Sequence, residues 1–163
     1  SSDVCSSDLF LNGNENACTP EMFVRYAQIA ALMPVMQFSA SPWRVLPEAD
    51  FQKVKDALAL REKCLPEILK AVECAKVTGE PIVRSMEFVF PGQGMERVMD
   101  QFMVGEDLLV APVWKQGEVA RSVRLPEGQW RCVGLGETEG DVLNGGRDVI
   151  LGENEGLVVL KRV

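Results

Sequence analysis

Gln37, Trp43 and Arg44 stand close together in the chain and offer an amide, an aromatic face and a guanidinium fork. That set can hold a polyhydroxylated ring: the polar groups take hydroxyls and the aromatic face takes C–H surface. The competing reading places Phe38 and Trp43 in the core and pairs Arg44 with a structural acid. For Phe38 and Trp43 the core is favoured, as it is for Trp114 and Trp130. Other chemistry is poorly supported. The chain has no histidine, so its serines and cysteines lack the usual base partner for nucleophilic catalysis. Glu106 and Asp107 are the tempting carboxylate pair, but neighbours on a strand point to opposite faces and cannot flank one bond. They read instead as a polar turn before a buried strand. Asp100 reads as a turn cap or the partner of a nearby cation.

The cysteines are equally uninformative as ligands. Cys18, Cys64, Cys74 and Cys132 are scattered, with no CxxC and no histidine nearby, so a zinc site is a poor candidate. Buried thiols in a reducing compartment are the favoured reading, which leans toward a cytoplasmic location. Net charge is −7, with acids spread along the chain. This solvates a surface and argues against a nucleic-acid partner, which wants a basic patch. No apolar run approaches the ~20 residues of a membrane span.

The elements that must position these side chains divide the 163 residues into a helical part and a β-part. Residues 1–9 are set aside: Ser2 to Leu9, SDVCSSDL, resembles the translation of a common sequencing-library adapter. Phe10 to Ala17 is loop-like. Thr19-Pro20-Glu21 is a helix start, with a capping hydroxyl, a proline at the first position and an acid at the positive end of the dipole. The helix runs to about Leu32, so apolar that it wants covering on most sides, and Pro34 stops it. Val35 to Ser39 is a short strand candidate, followed by a loop over Ala40 to Leu46. Pro47-Glu48 opens a second helical stretch, kinked or divided by Pro66 and ended at Thr78-Gly79. Six segments then read as strands, separated by Gly-rich turns: Ile82 to Phe90, Leu108 to Val113, Ala120 to Leu125, Trp130 to Val133, Asp148 to Leu151 and Gly156 to Val163. Short strands with regular turns indicate an antiparallel β-sandwich.

The run DQFMVGEDLLVAPV (Asp100 to Val113) resembles a signature of the family 31 glycoside hydrolases. Four further stretches are similar to that family in its order: TPEMFVRYAQIAALMPVMQFS (Thr19 to Ser39), Leu65 to Val83 with TGEPIVR near its end, SMEFVFP (Ser85 to Pro91) and VRLPEGQW (Val123 to Trp130). Many members carry Arg-Asn-His where this chain reads Gln37-Phe38-Ser39. MQFSASPWRVL (Met36 to Leu46) instead resembles a branch that includes an animal α-galactosidase-type member and many bacterial relatives.

The resemblance implies an α/β part followed by an all-β part. Residues 10–80 would be the last βα units of a (β/α)8 TIM barrel, with Val35 to Ser39 as its final strand, and residues 81–163 the proximal β-sandwich. A partial barrel exposes strand edges and apolar helix faces, so poor solubility is expected. Barrel active sites sit at the C-terminal ends of the strands, which would put Gln37, Trp43 and Arg44 in a substrate wall. The implied activity is hydrolysis of terminal α-linked sugars with retention. Its two aspartates would lie before Phe10, so no catalytic residue is assigned and the chain alone is expected to be inactive. A carbohydrate substrate is implied; no metal or organic cofactor is. Two rivals remain, a carbohydrate-binding or structural β-module with a helical extension, and a degenerate non-catalytic family member.

Overall fold

Thr19 opens the first helix as expected. The computed structural model describes residues 18–134, 139–151 and 157–163, so the adapter-like residues 2–9 and the loop expected over 10–17 lie outside the described residues. The Thr19 hydroxyl accepts from the Met22 N–H at 3.2 Å, and helix α1 runs Pro20–Ala31. Residues 35–39 then form bends and irregular chain rather than a strand. This corrects the expected final barrel strand: it has no ladder partner among the described residues, and a strand exists only where a neighbour takes its backbone groups. All the strand pairings described are antiparallel, so no parallel barrel ladder is present among them. The expected loop over 40–46 contains a one-turn helix, α2 (Pro42–Val45).

Helix α3 spans Glu48–Thr78 without a break. Gly79 ends it in the left-handed conformation, φ 77°, with its N–H on the Ala75 carbonyl. Pro66 lies inside α3 and does not divide it, which removes one of the two expected outcomes, a kink or a division. Pro66 and Glu62, whose carbonyl it frees, are both exposed, so water can satisfy that group. Meanwhile the buried stripe Val54, Ala57, Leu60, Cys64, Ile68 and Ala71 passes through uninterrupted. Burying such a stripe at roughly 1.5–3 kcal/mol per large side chain outweighs the ~3 kcal/mol a helical proline costs.

The β-part begins with β1 (Val83–Ser85), and the expected strand over 82–90 stops there. Ser85 Oγ accepts from the Phe88 N–H and starts a one-turn helix, α4 (Met86–Val89). The local cap wins over the apolar run. The remaining strands are β2 (Phe102–Val104), β3 (Leu108–Pro112), β4 (Arg121–Leu125), β5 (Gln129–Cys132), β6 (Val142–Asn144), β7 (Arg147–Leu151) and β8 (Leu157–Arg162). Of these, β2 and β6 were not expected; each has three residues, too few for a period to show.

A six-stranded sheet in the order β1-β2-β3-β8-β5-β6 faces a two-stranded ribbon, β4-β7. The layers are helix, sheet and ribbon. Leu108 and Val110 of β3 and Leu157 and Val159 of β8 meet Leu60, Cys64 and Ile68 of α3. Their neighbours Leu109, Ala111, Val158 and Leu160 meet Val123, Leu125, Trp130 and the partly buried Val149 and Leu151. A strand covered on both faces reads as a continuous apolar run, which explains why LLVAPV shows no alternation. The ribbon is anchored by two buried polar side chains. Gln101 donates its amide to the Arg124 carbonyl at 2.8 Å and accepts from the Arg124 N–H at 3.0 Å. Arg121 donates to the carbonyls of Asp100 and Pro112 at 2.5 and 2.8 Å and pairs with the Asp100 carboxylate.

Candidate functional site

The stretch after α1 is built by alternation. Met36, Phe38 and Ala40 are partly buried against the cluster of Phe23, Val24, Ala27 and Val54, while Gln37 and Ser39 between them are exposed. The Phe38 ring stacks on Phe23, with centroids 6.0 Å apart and planes 3° from parallel. In α2, Pro42 is buried and Val45 and Leu46 pack on the same cluster. The adjacent positions Trp43 and Arg44 therefore fall on the outer side of the turn, both exposed, Trp43 at 66%.

The candidate residues thus separate cleanly. Phe38 is packing, as favoured. Trp43 is not core, and neither is Trp114, 57% exposed; both correct the expectation. A one-turn helix has only one inward side, and Pro42, Val45 and Leu46 already fill it. Trp130 is fully buried, its indole N–H on the Pro126 carbonyl at 2.9 Å. Among the described residues, the Arg44 guanidinium and the Gln37 amide make no hydrogen bond or ion pair. The acid partner proposed for Arg44 is therefore not found among them. Gln37, Trp43 and Arg44 are left as a set of free donors and an open aromatic face.

Sequence reasoning missed Arg61. It donates to the carbonyls of Ala31 and Met33, each at 2.6 Å, and of Pro34 at 3.1 Å. An arginine beside the core residue Leu60 looks like any half-buried helical cation, and only the return of α1 beside α3 gives it this task.

A concavity lies between α3 and the turn that precedes β3, lined by Lys70, Ala71, Cys74, Arg84, Glu106 and Asp107 among others. Its charges are already engaged. Lys70 pairs with Asp107 at 2.7 Å, and Arg84 pairs with Glu80 at 2.9 Å and Glu106 at 3.6 Å. The Asp107 hydrogen bond raises the Lys70 pKa. Gly105 closes the seam: at φ 62°, an added Cβ would stand 3.1 Å from the Ala71 Cβ. Glu106 and Asp107 thus form the expected polar turn, and Asp107 ties it to α3 through Lys70. Elsewhere, burial pushes the Cys64 thiol up to about 11. Among the described residues no cluster of His, Cys, Asp or Glu could hold a metal ion, and no helix is long and apolar enough to cross a membrane.

An antiparallel β-domain is joined through the turn at Asp107 to a long helix, and Gln37, Trp43 and Arg44 are each exposed on the helical side. Residues 79–149 match the model of the glycosyl hydrolase family 31 C-terminal domain. The chain is 39% identical over 112 residues to the myogenesis-regulating glycosidase of Mus musculus, covering 68% of this chain and 16% of that protein. It is 30% identical over 132 residues to an alpha-glucosidase of Saccharolobus solfataricus, covering 77% of this chain and 18% of the relative. A crystal structure of a GH31 alpha-xylosidase from a soil metagenome, complexed with xylose, superposes with a TM-score of 0.75 at 28% identity, over 88% of this chain and 25% of that one. The chain therefore spans less than a fifth of these curated relatives. The matches support a glycoside hydrolase of family 31 as its parent.

Proposed function

We propose that this chain is part of a retaining α-glycosidase of family 31 that hydrolyses terminal α-linked sugars. In this reading α1 and α3 belong to the outer layer of a (β/α)8 barrel formed with the rest of the longer protein, residues 10–80 are its C-terminal part, and residues 81–163 are the β-domain that braces it. The superposition over 88% of the chain supports this, because it takes in the helical part as well as the sheet. Exposed Tyr26, Leu58, Leu65 and Leu69 support it too, since apolar helix faces call for further cover.

Retaining hydrolysis uses one carboxylate to attack the anomeric carbon and a second carboxyl group to protonate the leaving oxygen and then activate water. Both lie in preceding barrel strands of the longer protein, and the isolated chain hydrolyses nothing. This chain contributes to the wall of the sugar site: Gln37 and Arg44 hydrogen-bond hydroxyls and Trp43 covers a C–H face. The observation that carries the reading is that all three are exposed, with the two donors unengaged, while Met36, Phe38, Ala40, Val45 and Leu46 around them pack against the α1 cluster.

The test is an assay of the longer gene product and of this chain on aryl α-glucosides and α-galactosides. The longer protein is expected to turn over with retention seen by NMR, and Gln37→Ala and Arg44→Ala each to raise KM. Turnover by the isolated chain, or unchanged kinetics in both variants, refutes the assignment.

A further inference from the structure

Helix α1 stands between the β-domain and the segment that bears Gln37, Trp43 and Arg44. On one side Phe23, Val24 and Ala27 pack with Phe38, Val45 and Leu46 of that segment. Glu21, Arg25 and Leu32 fall at helical spacing on another side, and that side meets the β-domain. Leu32 packs with Leu108, Val110, Leu157 and Val159 of the sheet. Glu21 and Arg25 reach the turn between β3 and β4. The Glu21 carboxylate accepts from the Gly117 N–H at 2.8 Å, and the Arg25 guanidinium donates to the Glu118 carbonyl at 2.6 Å.

We propose that Glu21 and Arg25 are positioning residues of the sugar site, clasping the first turns of α1 to the β-domain so that Phe23 fixes the place of Phe38 and the segment around it. This rests on the reading of Gln37, Trp43 and Arg44 as a sugar wall. The clasp is reciprocal: one side chain accepts from the turn and the other donates to it, and the two form an ion pair at 3.5 Å. Hydrogen bonds to charged groups are the stronger kind, and they are directional. Their target is preshaped. The Glu118 N–H donates to the Lys115 carbonyl at 3.3 Å, the Lys115 ammonium pairs with the Glu118 carboxylate at 3.3 Å, and Gly117 takes φ 75°, which glycine adopts without strain. At its other end α1 is held by Arg61, through the carbonyls of Ala31, Met33 and Pro34. Between the two ends the helix packs through Ala27, Ala30 and Ala31, and apolar contacts are non-directional. A helix pinned at both ends cannot swing. Releasing the Glu21 end lets α1 pivot on the Arg61 end, and Phe23 lies at the freed end. The Phe38 ring, stacked on Phe23 with centroids 6.0 Å apart, follows it.

The experiment compares Glu21→Ala, Arg25→Met, Glu21→Gln and Gln37→Ala in the longer enzyme, by kinetics and by hydrogen exchange of peptides covering 113–120, 35–46 and the β5 strand. In Glu21→Ala and Arg25→Met, exchange is expected to rise over both 113–120 and 35–46 with β5 unchanged. KM is expected to rise about 10-fold, within the scale of a misplaced positioning group, as it does when a wall residue itself is removed. Glu21→Gln keeps an oxygen that accepts from the Gly117 N–H and should recover part of both effects. If Glu21→Ala and Arg25→Met fail to fold, Glu21→Gln carries the test: its exchange over 35–46 and its KM must both rise. Raised exchange confined to 113–120, unchanged exchange throughout, or unchanged KM while Gln37→Ala is impaired, overturns the proposal. If Gln37→Ala and Arg44→Ala both leave the kinetics unchanged, the underlying sugar-wall reading fails, and the role of the clasp in it fails for that separate reason.

Discussion

Replacing Gln101 by alanine should loosen the ribbon from the sheet. Gln101 is 4% exposed, and its amide makes two hydrogen bonds to the backbone of Arg124, at 2.8 and 3.0 Å. It serves β4 as a one-residue substitute for a neighbouring strand. Each bond contributes about 0.5–1.5 kcal/mol net, and each abandoned buried group costs about 1–3 kcal/mol. Arg124 is only partly buried, so water recovers a share, and the expected loss is about 2–4 kcal/mol. That is a large part of the ~5–15 kcal/mol that holds a typical domain, and corresponds to a fall in Tm of about 5–15 °C. The assay is urea unfolding followed by Trp130 emission, with Trp43→Phe and Trp114→Phe as background, since Trp130 is fully buried and the other two are exposed. Gln101→Leu keeps most of the volume and should lose nearly as much, separating the hydrogen bonds from the cavity. A loss below about 0.5 kcal/mol at unchanged m refutes the account, because surface substitutions already span that range.

Gly145→Ala should be far worse than Gly146→Ala. A Cβ at Gly145 would stand 1.8 Å from the Pro126 carbonyl oxygen, whereas at Gly146 the nearest atom is the Glu127 Cγ at 3.9 Å and only the positive φ of 73° is unfavourable. Thermal unfolding is expected to show a loss of about 3 kcal/mol or more for the first and about 1–2 kcal/mol for the second; the reverse order would contradict the turn geometry. Stability should also fall at alkaline pH through Cys64, whose thiol ordinarily ionises at 9.0 and is raised to about 11 by burial. The unfolded chain releases that proton first, so the contribution is complete below pH 9.0 and is lost as pH rises toward about 11, on the order of 2–3 kcal/mol in all. Denaturant midpoints across that window should fall less in Cys64→Ala; equal slopes would show that the thiol is not the cause.

Local chemistry in the sequence determined a good deal of this protein. The ends of α1 and α3 follow from Thr19-Pro20 and Thr78-Gly79, because a hydroxyl cap and a left-handed glycine act on their own neighbours. The strand LLVAPV and the turn of Glu106 and Asp107 before it were equally legible, as was Trp130 in the core. The DLLVAPV signature led to the family whose C-terminal domain model matches residues 79–149. What stayed hidden needed distant contacts. Pro66 reads as a kink or a break, and only the stripe buried along α3 shows that the helix runs on through it; Ile82 to Phe90 reads as one strand until Ser85 turns it into a helix cap. The three-residue strands β2 and β6 exist only because partners take their backbone groups. Trp43 reads as core by its side chain alone. Its exposure was decided by Pro42, Val45 and Leu46 filling the single inward side of a one-turn helix, and the role of Arg61 by the approach of two helix segments, which no local pattern records.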